Sequence, residues 1–414
     1  MIIIHVTNDP PYLPRYLEPV LEEVLQTFPV VVISGARQTG KSTLARHLGE
    51  GSGRAFQTLD DIEILERAQT DPEALVRSAP LLTLDEVQRS PDLLLAIKRA
   101  VDEDRVPGRF LLTGSANLLL MRRVSESLAG RAVHLNLWPM SRSEQEGRGQ
   151  CGIWTELFEN PEQDWLSLIR GQPARPGDWK SMVQRGGYPV ACRLDSAQQR
   201  SLWLAGYTQT YLERDLQELS AIGSLVGFRR LMRAACLRLG NIINQTELGR
   251  DVGLSQPTVG RHLSLLETSF QLVPVEAYSV NRTKRLIKSP KFYWSDPALA
   301  LHLAGESEAR GAHLENLVLL ELLVWRSAWI NVPQILYWRT ADGKEIDFVI
   351  EWKGRLLPIE VKATSRPRAA QSKNLQIFRQ EYKDRSLPGL LLHAGEETTW
   401  LASGILAAPW WRVF

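Results

Sequence analysis

The sequence predicts an α/β protein built from several domains. In the first third of the chain, short apolar runs typical of strands alternate with helical patterns, which indicates a parallel sheet. A glycine-rich loop at residues 35–42 joins the first of these runs to a helix. Near the end of the chain, predicted strands at residues 345–350 and 358–362 carry spaced acidic residues. A chain of 414 residues has room for about two to four domains.

The composition excludes few classes of protein. Hydrophobic residues make up 44% and charged residues 23%, and a net charge of +2 says little about partners. The three cysteines lie far apart without C-x-x-C spacing, which indicates neither a zinc site nor a disulfide framework: Cys151, Cys192 and Cys236. No apolar run approaches the length of a membrane span, and the N-terminus lacks a signal-like pattern. We therefore expect a cytoplasmic protein that does not bind membranes.

The glycine-rich loop has the pattern of a phosphate-binding loop. It reads Gly-Ala-Arg-Gln-Thr-Gly-Lys-Ser and follows an apolar run at residues 30–33. Glycines allow backbone N–H groups to face phosphates at the positive end of a helix. Lys41 is expected to reach the β- and γ-phosphates, and Ser42 to hold Mg²⁺. The loop thus predicts ATP or GTP binding through Gly35, Ala36, Arg37, Gln38, Thr39, Gly40, Lys41, Ser42 and Thr43.

Two acidic residues follow another strand at the distance expected for a partner of this loop. The apolar run at residues 80–84 leads directly into Asp85 and Glu86. Asp85 is expected to bind Mg²⁺, and Glu86 to polarise the water that attacks the γ-phosphate.

A further strand, at residues 109–113, ends in polar residues that can touch the γ-phosphate or the attacking water. Ser115 is the candidate for this sensor, with Thr113 and Asn117 as alternatives. A strand in addition to those that carry the loop and the acids points to an ATPase of the AAA+ type. Such enzymes often complete the site with an arginine from a neighbouring subunit. The candidates are Arg122, Arg123 and Arg131, each of which can equally be an ordinary surface arginine.

Several short motifs together give a family resemblance. They are Gly-Ala-Arg-Gln-Thr-Gly-Lys-Ser-Thr at 35–43, Leu-Asp-Glu-Val-Gln at 84–88, Leu-Thr-Gly-Ser at 112–115, Leu-Ala-Gly-Arg at 128–131, Gly-Gly-Tyr-Pro at 186–189 and Tyr-Leu-Glu-Arg-Asp-Leu at 211–216. The chain resembles one group of prokaryotic AAA-type ATPases that carry a C-terminal domain long described as of unknown function. The resemblance covers nearly the whole chain and implies the architecture more firmly than the biological role.

We divide the chain into four predicted domains. Residues 1–139 form the P-loop ATPase core, and residues 140–222 form a helical lid that starts with irregular connections at about 138–175. Residues 223–300 form a winged-helix domain, and residues 301–414 form an α/β domain similar to restriction endonucleases.

The winged-helix domain is predicted from two capped helices. Residues 244–253 read as a helix ended by glycine, and Ser255 can cap a second helix at 256–266. This is the helix-turn-helix pattern, and the extended segments that follow it enclose a basic wing. We expect groove contacts from Gln256, Thr258, Arg261 and His262, and phosphate contacts from Arg282, Lys284, Arg285 and Lys288. Winged helices also serve as protein-contact modules, so this alternative stays open.

The C-terminal domain carries the parts of a PD-(D/E)XK nuclease core. Asp347 lies near the start of one strand, and Glu360 and Lys362 lie on one face of the next. Together with Glu315 on a preceding helix, these carboxylates are candidate Mg²⁺ ligands, and Lys362 is a candidate to orient the attacking water. Such domains are often retained for shape or for binding nucleic acid, so the sequence leaves cleavage open.

Three functions fit these modules. The first is an ATP-driven DNA motor, with or without a cutting activity, that works as a homo-oligomeric ring such as a hexamer. Its domain order is similar to that of the bacterial Holliday-junction branch-migration motor, which implies a role in repair or recombination. The second is a nucleotide-gated switch, and the third is a defence nuclease whose ATPase permits cutting. We favour the motor because two candidate nucleic-acid modules follow one ATPase.

Overall fold

The computed structural model of the protein describes residues 11–115, 128–215, 224–281, 283, 285 and 288–414. Two β-sheets organise these residues. The strands are β1 (Val30–Gly35), β2 (Ala55–Thr58), β3 (Leu82–Asp85), β4 (Phe110–Ser115), β5 (Ala132–Asn136), β6 (Leu272–Ala277), β7 (Lys291–Trp294), β8 (Gln334–Arg339), β9 (Glu345–Trp352), β10 (Arg355–Lys362), β11 (Gly389–His393), β12 (Thr399–Ala402) and β13 (Ile405–Pro409).

The first sheet is fully parallel, with strand order β2-β3-β4-β1-β5. Its strand β4 separates β1, which leads into the glycine-rich loop, from β3, which leads into Asp85 and Glu86. The additional strand predicted from the sequence is therefore confirmed. All the strands run the same way, so the loop and the acids meet at one edge of the sheet.

Helices cover both faces of this sheet because β1 is apolar on both sides. Val30 and Val32 belong to one apolar cluster, and Val31 and Ile33 belong to another. The helices packed here are α1 (Glu18–Leu25), α2 (Lys41–Gly49), α3 (Ile62–Thr70), α4 (Pro72–Val76) and α5 (Leu93–Glu103).

The lid consists of short helices. The expectation of irregular connections at residues 138–175 is wrong, because buried tryptophans such as Trp154 and Trp165 anchor short helices in this polar stretch. The helices are α6 (Arg142–Gln145), α7 (Trp154–Glu159), α8 (Trp165–Gly171), α9 (Trp179–Arg185), α10 (Pro189–Cys192) and α11 (Ala197–Tyr207), and a π-helical segment, Thr208–Asp215, continues α11.

The predicted helix-turn-helix is present as α13 (Gln245–Val252) and α14 (Gln256–Thr268), preceded by α12 (Leu225–Leu237). The Asn244 side chain accepts hydrogen bonds from the first turn of α13, and Gly253, with φ of 74°, ends that helix in the left-handed conformation. Ser255 makes no cap bond to the backbone, and its hydroxyl instead lies 2.8 Å from the Thr258 hydroxyl.

The second sheet joins two of the predicted domains. Its strand order is β12-β13-β11-β10-β9-β8-β6-β7. The strands β6 and β7 that flank the predicted wing therefore continue the C-terminal sheet, and Glu276 of β6 pairs with Leu336 of β8. The domain boundary predicted after residue 300 thus separates elements that share one sheet.

The C-terminal elements follow the order expected of a nuclease-like core. Helix α16 (Gly311–Ser327) is followed by the antiparallel strands β8, β9 and β10, then by α17 (Lys373–Glu381) and by β11, which pairs parallel with β10. The remaining helices are α15 (Pro297–Ala304) and α18 (Trp410–Val413).

A single apolar cluster connects the lid, the helix-turn-helix and the C-terminal sheet. It includes Trp154 of the lid, Phe228 of α12, Trp294 of β7 and Trp325 of α16, each fully buried. These three parts consequently pack around one core and support one another.

Among the described residues, no helix combines the length and the apolar character needed to cross a bilayer.

Candidate functional site

The glycine-rich loop has the backbone geometry of an anion-binding turn. Gly35 ends β1, and a Cβ atom at this position would lie 2.3 Å from the carbonyl oxygen of Leu137. Gly40, with φ of 93°, directly precedes the first residue of α2. The N–H groups at the start of α2 have no partners within the helix, so they are available to phosphate oxygens.

Lys41 is buried inside this loop. Its Nζ donates to the carbonyl oxygens of Gly35 at 3.1 Å and Ala36 at 2.7 Å. Burial lowers the pKa of Lys41 to about 8, while the carboxylates of Glu86 and Asp85 oppose that shift. Lys41 is therefore still a cation at neutral pH, and phosphate oxygens would compete with the two carbonyls for it.

Asp85 is held by three hydroxyl groups from three elements. Its Oδ1 accepts from Ser42 Oγ at 2.7 Å and from Thr113 Oγ1, and its Oδ2 accepts from Thr58 Oγ1 at 3.2 Å. A hydroxyl and a carboxylate oxygen side by side are the hard oxygen ligands that Mg²⁺ takes in nucleotide sites. Ser42 and Asp85 would therefore hold a magnesium ion, whose positive charge would offset the negative charge of the phosphates.

Glu86 lies beside Asp85 in a strained backbone conformation. Its φ is 57°, uncommon for a residue other than glycine, and its Oε2 accepts a hydrogen bond from Gln88 Nε2. The turn directs Glu86 into a cleft of about 640 Å³ at the carboxyl edge of the sheet. Its lining includes Arg37, Gln38, Gly40, Lys41, Ser42, Thr43, Glu86, Gln88, Arg89, Pro189 and Val190.

Arg15 holds the glycine-rich loop through buried hydrogen bonds. Its Nη1 donates to the Thr39 carbonyl at 2.8 Å and its Nη2 to the Trp138 carbonyl at 2.7 Å. Its Nε lies 3.1 Å from a carboxylate oxygen of Glu144, and both side chains are almost fully buried. Arg15 thus joins the segment before α1, the glycine-rich loop and the start of the lid.

A buried polar network connects the same loop to the helix-turn-helix. The Tyr207 hydroxyl donates to the Arg37 carbonyl at 3.4 Å and accepts from Gln271 Nε2 at 3.1 Å. The Tyr188 hydroxyl lies 3.2 Å from that of Tyr207. Gln271 is fully buried in the turn between α14 and β6, so two side chains separate the loop from the winged helix.

Comparison with known proteins agrees with this geometry. Residues 27–146 match the family described as an AAA domain, residues 177–310 a domain of unknown function (DUF8612) and residues 310–413 a domain of unknown function (DUF4143). An uncharacterised protein of Mycobacterium tuberculosis is 30% identical over 400 residues, which cover 94% of this chain and 82% of the relative. The chain belongs to the AAA-type ATPases that carry a C-terminal DUF4143 domain.

More distant relatives span most of the chain as well. An uncharacterised protein of Haemophilus influenzae is 22% identical over 385 residues, 87% of this chain and 89% of the relative. A Walker-type ATPase of Pyrococcus abyssi, known as a solved structure, has a TM-score of 0.41 and 16% identity, and covers 72% of this chain and 99% of its own.

Of the predicted sensor and arginine-finger residues in the described part of the chain, Thr113 contacts the site and Arg131 does not. Thr113, one alternative for the sensor, contacts Asp85 directly, whereas Ser115 is described only as the end of β4. Arg131 does not lie at the cleft. It directly precedes β5, at the amino ends of the parallel strands, whereas the cleft lies at their carboxyl ends. Its guanidinium forms a bidentate ion pair with Asp102. Asn117, Arg122 and Arg123 lie outside the described residues.

The helix-turn-helix presents part of the predicted polar face. Gln256 and Arg261 are exposed at the start and the middle of α14, and Thr258 is half-buried between them. Gln256 Nε2 donates to Gln245 Oε1 of α13 at 3.1 Å. Lys288 is also exposed, while Arg282 and Lys284 lie outside the described residues.

Two predicted DNA contacts are wrong. His262 is 4% exposed, because its ring packs edge-on against Phe228 inside the three-helix unit. Arg285 is 5% exposed and its Nη1 lies 2.6 Å from Glu351 Oε2 of β9. The basic neighbours of Arg285 in the sequence therefore did not indicate an exposed side chain, because β6, the strand before it, pairs with β8 and brings Arg285 against the C-terminal sheet.

The predicted nuclease residues do come together, but their charges are matched within the protein. Asp347 Oδ2 accepts from the Val361 N–H at 2.8 Å, and Lys362 Nζ lies 2.5 Å from Glu360 Oε1. Lys291 of β7 enters the cluster, forms an ion pair with Glu345 and lies 3.8 Å from Asp347 Oδ1. The winged-helix strand thus supplies a cation that the sequence did not lead us to expect.

The remaining carboxylate, Glu315, accepts a hydrogen bond from Tyr293 Oη at 3.0 Å. Burial and the nearby Asp347 raise the pKa values of Glu315 and Glu360, while the ammonium groups of Lys291 and Lys362 oppose that rise. Glu360 Oε2 has no hydrogen-bond partner in the described part of the chain. Within that part, no three acidic, histidine or cysteine side chains are grouped as metal ligands.

Several functional residues escaped sequence analysis. Arg15 stands in an apolar and acidic stretch that matches no motif, and Tyr207 and Gln271 lie 64 positions apart. The Gly186-Gly187 pair did leave a signal. A Cβ on Gly186 would lie 2.7 Å from the Asp296 carboxylate, and one on Gly187 would lie 2.6 Å from the Met140 carbonyl.

Proposed function

We propose that this ATPase acts on duplex DNA and that ATP binding and hydrolysis control the DNA contact made by the helix-turn-helix. Lys41, Ser42, Asp85 and Glu86 supply the parts of a phosphate-binding and hydrolytic site. Helix α14 supplies a DNA-reading surface at the other end of a short path through the protein.

The buried path between the two sites carries the proposal. Tyr207 bonds the carbonyl of Arg37 in the nucleotide loop, and Gln271 bonds Tyr207 from the turn that ends α14. A shift of the loop on nucleotide binding would therefore move a hydrogen-bond partner of the winged helix. Leaving a buried polar group without a hydrogen bond costs free energy. When the loop moves, Tyr207 and Gln271 are therefore expected to move with it and keep their hydrogen bonds.

The charges on α14 suit DNA. Arg261 is a guanidinium donor on the exposed side of the helix, and Gln256, at its first turn, has an amide that can pair with base edges. Lys288 adds a positive charge after the wing. Phosphate contacts of this kind release counterions, so binding should weaken steeply with salt.

In the form that we favour, the protein is a DNA motor that works as a homo-oligomer in the cytoplasm. A motor requires DNA-stimulated turnover, whereas a switch requires only that nucleotide changes DNA affinity. Stimulation that depends on DNA shape, with a preference for branched over linear duplex, would support the motor and identify its substrate.

A pair of variants tests the coupling. Gln271→Met replaces the buried amide by an apolar side chain of similar size and leaves Tyr188 and Tyr207 as partners for each other. We expect basal ATP turnover within about twofold of the parent, retained DNA binding, and loss of the difference in DNA affinity between ATP and ADP. Arg261→Ala should instead weaken DNA binding in both nucleotide states.

The result that contradicts the coupling is an unchanged ATP-to-ADP difference in DNA affinity for Gln271→Met. DNA binding that Arg261→Ala leaves unchanged at two salt concentrations would contradict the assignment of α14 as the DNA-reading helix.

We further propose that the acid and lysine cluster of the C-terminal domain stabilises the domain and binds DNA, and that it does not cleave DNA. Lys291 and Lys362 already neutralise Glu345 and Glu360, and Lys291 also approaches Asp347. The parent protein should leave branched DNA intact in Mg²⁺ or Mn²⁺. Cleavage by the parent that Asp347→Ala abolishes would overturn this part of the proposal.

A further inference from the structure

Arg37, inside the glycine-rich loop, is the arginine best placed to act on the terminal phosphate. Its residue type is not required by the G-x-x-x-x-G-K-S pattern, in which that position is open. It lines the same cleft as Lys41, Ser42 and Glu86. It is also close enough to Lys41 for its charge to lower the pKa of that lysine. Two cations on one short loop repel each other until a multiply charged anion lies between them.

The lid holds Arg37 at two points. Its backbone carbonyl accepts the Tyr207 hydroxyl at 3.4 Å, and its guanidinium carbon lies 5.3 Å from the centroid of the Tyr211 ring. When a planar guanidinium stacks on an aromatic ring, the ring contacts the flat face of the guanidinium. The N–H donors lie in the guanidinium plane and stay available to other acceptors. The ring belongs to the π-helical segment Thr208–Asp215, a geometry found frequently at functional sites.

The other arginines of the described ATPase core are less well placed. Arg131 lies at the amino ends of the parallel strands, away from the cleft, in an ion pair with Asp102. Arg89 also lines the cleft, but it follows β3 and lies outside the glycine-rich loop; its Nη1 is 2.5 Å from Asp60 Oδ1. Arg37 belongs to the glycine-rich loop itself and lines the cleft together with Lys41 and Ser42 of the same subunit.

We propose that Arg37 is a catalytic residue for ATP hydrolysis, stabilising the charge on the transferred phosphoryl group from within the same subunit. The attacking water forms a bond to the γ-phosphorus as the bond to the β,γ-bridging oxygen breaks. ADP leaves with that electron pair, and the water proton passes by way of Glu86 to inorganic phosphate. The guanidinium fork would contact phosphoryl oxygens as their charge is redistributed, so its effect falls on kcat. This inference depends on ATP hydrolysis and not on the proposed action on DNA.

Steady-state kinetics of Arg37→Ala provide the first test. We expect kcat to fall about 10²–10³-fold, while the Kd for MgADP stays within about threefold of the parent. Arg37→Lys keeps the charge without the fork and should recover only part of kcat. The matched control is Arg99→Ala, which removes an exposed arginine whose Nη1 lies 2.8 Å from Glu73, and should keep the parent kcat. A parent-like kcat for Arg37→Ala overturns the proposal, and so does a comparable loss of MgADP binding in both Arg37 variants.

Mixing variants distinguishes action within a subunit from action on a neighbour. Arg37→Ala keeps Glu86, and Glu86→Gln keeps Arg37, so each lacks one part of the site. If Arg37 acts within its own subunit, equimolar mixtures remain as inactive as the separate variants. Recovery of activity on mixing would show that Arg37 serves a neighbouring site and would contradict the proposal. Binding of MgADP with aluminium fluoride gives an independent readout: the parent should retain the complex, and Arg37→Ala should lose it while still binding MgADP.

Discussion

Replacing Arg15 by alanine should loosen the nucleotide loop and destabilise the ATPase core. The guanidinium is 3% exposed and Glu144 is 1% exposed, so the substitution leaves a buried carboxylate without its cation. Breaking a buried ion pair costs about 3–5 kcal/mol. Glu144 keeps the N–H groups of Ser141 and Tyr16 as donors, at 2.8 and 2.7 Å, which places the expected loss of unfolding free energy near 3 kcal/mol.

The same substitution has a local effect on the site. Arg15 donates 2.8 Å to the Thr39 carbonyl, and an intramolecular hydrogen bond contributes about 0.5–1.5 kcal/mol. If that contribution is lost from the nucleotide-binding conformation, the Kd for MgADP should rise about 2–10-fold. Guanidinium-induced unfolding followed by far-UV circular dichroism measures the first effect, and titration with a fluorescent ADP analogue measures the second.

Two further variants complete this experiment. Arg99→Ala removes an exposed pair with Glu73 and should cost less than about 1 kcal/mol. The double substitution Arg15→Met with Glu144→Gln removes both charges and should recover part of the loss. A loss below about 1 kcal/mol for Arg15→Ala, together with an unchanged Kd for MgADP, would refute the role assigned to this arginine.

Three other outcomes follow from the structure. Glu86→Gln should retain ATP binding but lower turnover about 10²–10³-fold, because the attacking water loses its base; single-turnover phosphate release measures this effect. Arg285→Ala should lower the unfolding free energy by about 3 kcal/mol, the lower end for a broken buried ion pair, because Glu351 keeps its pair with Arg385, and it should leave the salt dependence of DNA binding unchanged. Burial raises the pKa of Glu321 from 4.5 to about 8, so the folded state binds a proton that the unfolded state releases, and stability should fall as pH rises from about 4.5 to 8. Glu321→Gln should remove that slope in unfolding curves measured across the range, and an unchanged slope would contradict the assignment.

Local patterns were sufficient to predict the glycine-rich loop and the acidic strand end that meet at the cleft. Gly40, Lys41 and Ser42 are adjacent in sequence, and β3 carries Asp85 into place because parallel strands end at a common edge. The helix-turn-helix was likewise visible, since Asn244 and Gly253 mark the ends of α13 through short-range bonds and backbone conformation.

Contacts between distant segments were not predictable from a single sequence. The Glu144 partner of Arg15 is 129 positions away, and β7 carries Lys291 into the acid cluster of another predicted domain. Arg285 reads as a surface cation because its neighbours are basic, and only the pairing of β6 with β8 brings Glu351 beside it. Arg15 and Glu144 meet where the segment before α1 packs against the start of the lid, whereas Lys291 and Arg285 reach their partners through the pairing of strands. None of these contacts leaves a local pattern in the sequence.

The most direct test of the central claim is steady-state ATP hydrolysis without DNA and with single-stranded, duplex and four-way-junction DNA. Lys41→Ala serves as the control because it removes the phosphate-binding ammonium. Our account predicts that at least one form of duplex or branched DNA stimulates turnover, that rising salt weakens the stimulation, and that Lys41→Ala abolishes turnover with every DNA. Intact basal turnover that no DNA form changes would contradict the proposed coupling of ATP hydrolysis to DNA.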